Sequence, residues 1–424
     1  MCQTGRMVDP RCLLGVALAS ALFACGSSHS PASNDGGSDS GGSGSDSGPG
    51  MQSSCSTFTT GQNASLGGTV PFPTNNAWNQ DMSTADVDPN SDAILTYIGK
   101  DSPFHPDFDS SGDGISYDIV DSSTTPLVTI ALDDDSESDL MPMPFDANAQ
   151  IEGGSDSHAL VIDRATCWLY ELFHATYSGG TWSAANSAVW DLESYNSRPL
   201  TWTSADAAGL PIMPGLVRYD EVSAGVIDHA LRVTMPATVA AFVSPATHYA
   251  GNDDNSPVPM GMRLRLKASV DTSSYSPADQ AITNAMKKYG LIVADNGSAL
   301  FVTGTGDSRW NDDDLHKLTA LKVSDFEVLK MPALTTKSNV PSGDMPAISS
   351  FTASSMTASS GAAVTLTWSA SNSSYDFVSP STGDDIGVAR GGTAVVHPIA
   401  TTTYTLSSTN AYGRDTKKIT ITVN

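Results

Sequence analysis

Short segments in which polar and apolar residues alternate recur through most of this 424-residue chain, separated by Gly, Ser, Asn and Asp. A period of two residues is typical of antiparallel strands with one buried face. In the middle of the chain these segments are PLVTIAL at 126–132, HALVID at 158–163, CWLYELFHAT at 167–176, HALRVTM at 229–235 and MRLRLKA at 262–268. The sequence therefore predicts a mainly β protein in which residues 55–334 form one large central domain, a β-sandwich or jelly roll.

One or two helices are expected to interrupt these strands, and one of them has clear end signals. Ser276 can cap this helix, Pro277 suits its first turn, and Gly290 suits its end. The next segment, LIVADNGSALFV at 291–302, predicts a β-hairpin because the dipeptide Asn-Gly favours a type I′ turn. Asp295 lies beside this turn, and we expect it to have a structural role.

Residues 347–424 contain a second series of alternating segments, VTLTWSA, TAVVHPI, TYTLSST and KKITITV, which predicts a smaller β-sandwich. The phrases LTWSA, ATTTYTLSSTNAYG and ITITV resemble the immunoglobulin-like domains that are appended to secreted bacterial enzymes and adhesins. The resemblance implies a spacer or weak binding module, with Trp368 in its core and Tyr404 as a corner tyrosine. Residues 335–346, TTKSNVPSGDMP, are the expected linker.

The N-terminal residues predict export. Arg6 and Arg11 precede an apolar run at 12–24 that is too short to span a bilayer, as in a secretory signal. The run leads into LFAC at 22–25, which resembles a bacterial lipobox. The resemblance implies that residues 1–24 are removed and that Cys25 carries lipid; an ordinary signal peptide that contains a cysteine is the alternative.

Residues 25–54 are a tract rich in Gly, Ser and Asp that has almost nothing to bury, so we expect a flexible tether. Such a tether would hold the folded domains off the membrane, and the bilayer would be a partner only through the acyl anchor. Gly26 and Ser27 replace the Asp that retains lipoproteins at the inner membrane of some Gram-negative bacteria. We therefore expect a lipoprotein of the bacterial cell envelope, at the outer membrane or the cell surface.

The charge balance argues against nucleic acid as a partner. The chain has 21 Lys and Arg against 46 Asp and Glu, and the resulting net charge of −25 repels phosphates. Of the five cysteines, Cys55 and Cys167 remain once the signal is removed and Cys25 is acylated. These two can form a disulfide in an oxidising compartment.

Two similar segments, SHALVID at 157–163 and DHALRVT at 228–234, each place a histidine on an alternating strand. If the two strands belong to one sheet, His158 and His229 can converge as proton carriers or metal ligands. The alternative is that each histidine is a hydrogen-bonded structural residue. A lyase would use such a histidine as its base, with Arg232 or Arg263 holding an anionic sugar.

Carboxylates near the same strands suit a glycoside hydrolase instead, because that reaction needs two of them on opposite sides of the bond. The candidates for acid, base or nucleophile are Glu152, Glu171 and Glu221. Since the chain is rich in acids, carboxylate pairs near any strand are also expected by chance.

Aromatic residues concentrate in one region, where Trp168, Trp182, Trp190 and Trp202 lie within 35 positions. Aromatic faces bind the apolar faces of sugar rings, and they also fill sandwich cores. Trp182 and Trp202 occur in connections rich in small polar residues, so we expect them to be exposed and to bind substrate together with Tyr219.

An acidic loop at 107–118 suggests calcium. It has aspartates at its first, third and twelfth positions and glycine at its sixth, as an EF-hand loop does. The candidate ligands are Asp107, Asp109, Asp113 and Asp118. A solvated turn is the alternative, because Gly114 replaces the usual apolar residue and no helix is expected on either side.

Four longer phrases, FPTNNAWNQD, TSADAAGLPIMPGLVRYDEV, MGMRLRLKAS and MKKYGLIVADNG, resemble an uncharacterised family of secreted proteins of soil bacteria. The resemblance implies no catalytic assignment, and the motifs of nucleophilic hydrolases and nucleotide-binding proteins are absent from the sequence. The leading hypothesis is a surface-anchored carbohydrate-active enzyme, a glycoside hydrolase or polysaccharide lyase acting on an extracellular polysaccharide. The alternative is a non-catalytic lipoprotein for glycan binding or adhesion.

Overall fold

The computed structural model describes residues 54–195, 197–381 and 392–424. The expected signal peptide, the lipidation site Cys25 and nearly all of the tether lie outside the described residues. In the part of the chain that is described, no helix is both long enough and apolar enough to cross a membrane.

The protein is mainly β, as predicted, with four α-helices and several single 3₁₀ turns among the described residues. The helices are α1 (Ser91–Ile98), α2 (Tyr219–Ala224), α3 (Pro277–Lys288) and α4 (Asp312–Leu315). The strands before residue 347 are β1 (Gly61–Gln62), β2 (His105–Asp107), β3 (Tyr117–Val120), β4 (Ala131–Leu132), β5 (Ala159–Asp163), β6 (Trp168–Phe173), β7 (Thr176–Ser178), β8 (Thr181–Ala184), β9 (Asn186–Asp191), β10 (Leu231–Met235), β11 (Ala241–Phe242), β12 (Arg263–Leu266), β13 (Leu291–Asn296), β14 (Phe301–Thr303), β15 (Phe326–Val328) and β16 (Thr335–Thr336). The strands that follow are β17 (Ala347–Ala353), β18 (Thr357–Ala358), β19 (Val364–Ser371), β20 (Tyr375–Pro380), β21 (Thr393–Val396), β22 (Thr402–Asn410) and β23 (Gly413–Val423).

Two sheets form the framework of the central part. One has the order β1-β3-β5-β6-β9, and the other has the order β15-β12-β13-β10-β14-β2. Fully buried side chains of both sheets, such as Leu160 and Leu169 from the first and Leu231 and Val293 from the second, belong to one continuous apolar core. The alternation seen in the sequence therefore fills the space between the sheets.

The predicted helix is confirmed as α3. The Ser276 side chain accepts a hydrogen bond from the backbone N–H of Asp279, and Pro277 occupies the first helical position. Gly290 follows the helix with φ of +79°, a conformation that glycine adopts without strain. Local sequence signals were sufficient here because each of them acts within one helical turn.

The predicted hairpin between β13 and β14 is wrong, because β10 lies between these two strands in the sheet. β13 runs parallel to β10, and β14 runs antiparallel to it on the other side. The Asn296-Gly297 segment starts the connection that passes over the end of β10, where a Cβ at Gly297 would lie 2.7 Å from Thr234 Oγ1. Gly297 is thus needed for a close crossing instead of a type I′ turn.

The C-terminal residues form two facing sheets, with the orders β17-β19-β21 and β18-β23-β22-β20. Trp368 lies in the core between them with 5% of its surface exposed, as predicted, and Tyr404 is fully buried there. The expected linker is partly a strand, because β16 pairs with β11 of the central part.

The C-terminal sheets pack directly against the central part. Phe377 of β20 belongs to an apolar cluster with Val161 and Tyr170 on the outer face of the five-stranded sheet. Arg414 of β23 donates a hydrogen bond to the carbonyl of Ser138 at 2.6 Å, and its guanidinium lies 4.7 Å from the ring of Trp202. The C-terminal sheets and the central part are therefore in direct contact with each other.

The Phe377→Ala variant tests this packing. Removing a fully buried aromatic ring leaves a cavity, so we expect the free energy of unfolding to fall by about 3–5 kcal/mol. Urea denaturation followed by tryptophan fluorescence measures the change. Ile399→Ala is the control in the same C-terminal residues, because Ile399 is 69% exposed and its loss should change stability by less than about 0.5 kcal/mol. Equal effects of the two substitutions would contradict the packing.

Candidate functional site

A buried salt bridge connects β10 to the loop that precedes α2. Arg232 of β10 donates from Nε to Asp206 Oδ2 at 2.6 Å and from Nη2 to Asp206 Oδ1 at 2.8 Å. Its remaining nitrogen, Nη1, donates to Thr303 Oγ1 of β14 at 2.6 Å. Both members of the ion pair are buried, so the bidentate geometry is what compensates for their lost hydration.

A β-bulge brings Asp295 to the same place. Val233 of β10 pairs with Val293, but the next residue, Thr234, pairs with Asp295, so Ala294 is an extra residue in β13. Without this extra residue, Asp295 would point to the opposite face of the sheet from Arg232, because side chains alternate along a strand. With it, Asp295 Oδ2 lies 3.5 Å from Arg232 Nη2.

The environment of Asp295 favours its protonated form. Burial and the neighbouring negative charge of Asp206 raise the pKa of Asp295 to about 7, and the charge of Arg232 offsets only part of this. The side chain still keeps 23% of its surface exposed. A carboxyl group that stays protonated near neutral pH and remains accessible can donate a proton to a ligand.

Asp295 and Asp206 line a cavity of about 450 Å³. The other lining residues are Asp134, Asp156, Phe173, Ala185, Asn186, Thr203, Ser204, Ala205, Ala207, His248, Ala250 and Asn296. Among the described residues, the lining contains four aspartates and one histidine and no lysine or arginine. The described lining thus includes both polar and apolar surface, with aspartates, an asparagine and a histidine that can bind the polar groups of a small ligand unit.

His248 is the basic group of this lining. Its Nδ1 lies 2.7 Å from the carbonyl oxygen of Ala207. Because a carbonyl can only accept, Nδ1 carries the hydrogen, and in the neutral ring Nε2 has the free lone pair. The ring also stacks on Tyr249 at 5.5 Å, which holds its plane. His248 is therefore oriented to accept a proton through Nε2.

The predicted residues Glu152 and His158 form an ion pair behind the cavity wall. His158 Nδ1 lies 2.5 Å from Glu152 Oε2, and His158 Nε2 lies 3.0 Å from the carbonyl oxygen of Ala205. Although burial opposes the charged ring, Glu152 raises the pKa of His158. Because Ala205 precedes Asp206, this pair fixes the loop that carries the buried carboxylate.

Glu171, another predicted candidate, is completely buried. Its carboxylate accepts hydrogen bonds from the backbone N–H groups of Ile212 and Met213 and from Trp190 Nε1. Burial raises its pKa to about 7, but none of its surface is exposed. The three donors show that Glu171 joins β6 to the turn at 212–213.

The remaining predicted carboxylate and histidine lie together, away from the cavity lining. Glu221 Oε1 pairs with Arg218 Nη2 at 2.5 Å, and its Oε2 lies 3.2 Å from His229 Nε2. His229 and His158 do not converge, because His229 contacts Glu221 whereas His158 contacts Glu152. Tyr219, the predicted binding residue beside Glu221, packs edge-on against Trp310 and lies under Arg309.

The expectation that Trp182 and Trp202 are exposed is wrong. Trp182 of β8 is 2% exposed and packs against Phe145 in an apolar cluster. Trp202 is partly buried between the guanidinium groups of Arg198 and Arg414. The polar residues around Trp182 belong to the turns and outer faces of short strands, whereas its own side chain points inward.

Arg263 is also buried, and it donates hydrogen bonds to the carbonyls of Ala77 and Tyr289. Burial lowers the pKa of Arg263 to about 10. The Arg263 guanidinium therefore binds backbone carbonyls, and one of them belongs to Tyr289 at the end of α3. Cys55 and Cys167 are joined as a disulfide with their Cα atoms 5.2 Å apart, which ties the start of the described chain to β6.

The four aspartates of the acidic loop lie in different environments. Asp107 is on β2, where burial raises its pKa, and Asp118 is on β3 and accepts from the backbone N–H of Gln150. Asp109 accepts from the backbone of Ser111, Gly112 and Asp113. Among the described residues, no group of three or more His, Cys, Asp or Glu is arranged to hold a metal ion.

The Glu171→Ala variant tests the structural role of this carboxylate. It leaves three buried N–H donors without a partner, so we expect the free energy of unfolding at pH 6 to fall by about 3–5 kcal/mol. Asp101→Ala is the control, since the Asp101 side chain is 99% exposed. Urea denaturation of both variants checks this expectation, and a change below about 0.5 kcal/mol for Glu171→Ala would overturn it.

The raised pKa of Asp295 predicts a pH-dependent effect of Asp295→Asn on stability. In the folded protein the pKa is about 7, well above the value of an unfolded aspartate, so the wild-type chain loses stability as pH rises through 7. The asparagine variant cannot ionise, so its stability relative to wild type should increase between pH 5 and pH 8.5.

Urea midpoints at the two pH values measure this difference. Asp271→Asn is the matched control, because Asp271 is exposed and hydrogen bonds from Ser273 lower its pKa. Its relative stability should not increase with pH. A difference between wild type and Asp295→Asn that stays constant, or that shrinks at high pH, would show that the Asp295 carboxyl is already ionised at pH 5.

None of the residues that the sequence predicts to form the site is in the described lining of the cavity. The sequence pattern gives Asp295 only a structural role, and no catalytic or ligand-binding motif covers Asp206, Asn186 or His248. A local signal does exist for Asp206, because it lies within one of the four phrases of the family resemblance, but the phrase names no role. No protein-family model matches the chain, and no curated protein is significantly similar to it.

Proposed function

We propose that the protein is an exported lipoprotein, anchored through Cys25, whose central part hydrolyses glycosidic bonds of an extracellular polysaccharide. Asp295 is the general acid of this reaction. The observation that carries the proposal is the pair of neighbouring carboxyl groups on Arg232. The Asp206 carboxylate takes the bidentate contact, and the accessible Asp295 has a pKa raised to about 7. Carboxyl groups whose environments differ in this way are typical of acid–base catalysis at sugar acetals.

In the proposed reaction, Asp295 donates its proton to the glycosidic oxygen as the bond to the anomeric carbon breaks. Asp206 does not touch the substrate, because its side chain is fully buried. It is a positioning residue, since its charge keeps the proton on Asp295 and its bond to Arg232 holds the cavity wall. His248 accepts the proton of the attacking water through Nε2.

Hydrolysis is favoured over the lyase reaction by the charges of the cavity. A lyase that acts on uronates requires a cation to neutralise the sugar carboxylate. The described residues of the cavity lining include no lysine or arginine, and Arg232 is already engaged by Asp206. The exposed Asp134 and Asp156 would repel an anionic sugar, so a neutral or cationic sugar is the better substrate class.

The alternative of a non-catalytic glycan-binding protein is less well supported. A binding platform would need exposed aromatic faces, but Trp182 is buried and Trp202 lies between two arginines. Phe173 is the one Phe, Tyr or Trp in the lining of the described cavity.

Release of new reducing ends from a panel of polysaccharides tests the proposed function. We expect activity with the wild-type chain, and a loss of about 100-fold or more in kcat/KM for Asp295→Asn, because this variant keeps the shape but cannot donate the proton. The activity should also fall as the pH rises above 7, where Asp295 becomes ionised. Asp271→Asn is the control and should retain wild-type activity.

Three outcomes would contradict the proposal. Full activity of Asp295→Asn would remove its catalytic role. A gain in absorbance at 235 nm without hydrolysis would indicate a lyase. No cleavage of any polymer, together with retention of the protein by one of them in affinity electrophoresis, would indicate a glycan-binding protein.

A further inference from the structure

The cavity offers hydrogen-bond acceptors and negative charge, and its described lining contains no lysine or arginine. We propose that it binds an amino sugar whose amine is free and protonated, so that the polymer cut by the protein contains non-acetylated hexosamine units. This inference rests on the proposed function for the glycan class, and it adds the identity of the bound unit.

The first support is an unused acceptor. Asn186, at the start of β9, is 6% exposed and lines the cavity. Its Nδ2 donates to the carbonyl of Ser204 at 2.9 Å, which fixes the orientation of the amide because a carbonyl can only accept. Its Oδ1 has no hydrogen-bond partner among the residues that the structure describes. A buried acceptor without a partner is unfavourable, so a ligand that brings an N–H donor is stabilised here.

The second support is uncompensated charge on the cavity wall. Asp134 and Asp156 both line the cavity and are exposed, and neither forms an ion pair with a residue of the described ranges. Among the described residues, the Asp134 carboxylate accepts hydrogen bonds only from Ser136, and the Asp156 carboxylate accepts only from Ser155. Their charges are therefore available to an ammonium group.

The arginines near the cavity walls form no ion pair with Asp134 or Asp156 among the described residues. Arg232 is held by Asp206. Arg198 donates to Asp139 and to the carbonyls of Thr203 and Glu137. Arg414 donates to the carbonyls of Ser138, Asp135 and Ser136. The hydrogen bonds of Arg198 and Arg414 hold the loop at 134–139, and Asp134 of this loop lines the cavity.

An ammonium group satisfies both features, because it carries a positive charge and three N–H donors. An N-acetylated unit keeps one N–H but loses the charge, and a uronate adds a repelled carboxylate. Since Asp134 and Asp156 are exposed, the attraction should be moderate and should weaken with salt.

The experiment measures binding to the full chain carrying Asp295→Asn, so that the ligand is not cleaved. Glucosamine and N-acetylglucosamine oligomers of equal length are titrated by calorimetry at pH 5.5 and low ionic strength. We expect the glucosamine oligomer to bind about tenfold more tightly, with the preference reduced several-fold in 0.5 M salt.

A second variant locates the preference. Adding Asp156→Asn to the same chain should reduce the preference for the glucosamine oligomer, whereas adding Asp271→Asn on the distant exposed loop should leave it unchanged. Equal affinity for the two oligomers, tighter binding of the acetylated oligomer, or a preference that survives both Asp156→Asn and high salt would overturn the inference.

Failure here is distinguishable from failure of the proposed function. If the wild-type chain cleaves neutral polysaccharides and the amine preference is absent, the hydrolase proposal stands and the amino-sugar inference falls. If the amine preference is present and no polymer is cleaved, the binding inference stands and the catalytic proposal falls.

Discussion

The contact between Arg232 and Asp206 is the interaction on which the candidate site depends. It fastens the loop before α2 to the middle of the six-stranded sheet, and the same guanidinium reaches β14 through Thr303 and β13 through Asp295. Two buried charges are costly to desolvate, and only their pairing makes the arrangement acceptable. Loss of either partner would leave an unpaired charge buried in the protein. It would also remove the contact that holds the loop before α2 beside the cavity.

Glu171 and Asp295 show that a shifted pKa does not by itself identify a functional group. Burial raises the pKa of both carboxyl groups to about 7. Glu171 is closed off and uses its oxygens to hold three N–H donors, whereas Asp295 borders open volume and has a charged neighbour. The proposed chemical role of Asp295 therefore depends on its access to a ligand, which Glu171 lacks.

The strands, helix α3 and the buried Trp368 could be predicted because their signals are local: alternation, capping residues and a core aromatic. The site could not be predicted, because its residues meet through non-local pairing. Asp295 reaches Arg232 only through one extra residue in β13, and the sequence of β13 does not show which strand will lie beside it. The predicted exposure of Trp182 is wrong for a related reason, since polar turns around a strand do not reveal the direction of a single side chain.

The position of β10 between β13 and β14 also has a consequence for how the chain folds. These two strands are joined by a short connection, so pairing them directly would be fast, on the order of microseconds for a hairpin. Such a pair would occupy the backbone groups that β10 uses in the native sheet, and it would have to open before Arg232 could enter. The pairing of β10 with both strands is non-local, so loop-closure entropy makes it slower to form than the hairpin, and the cavity depends on this slower arrangement.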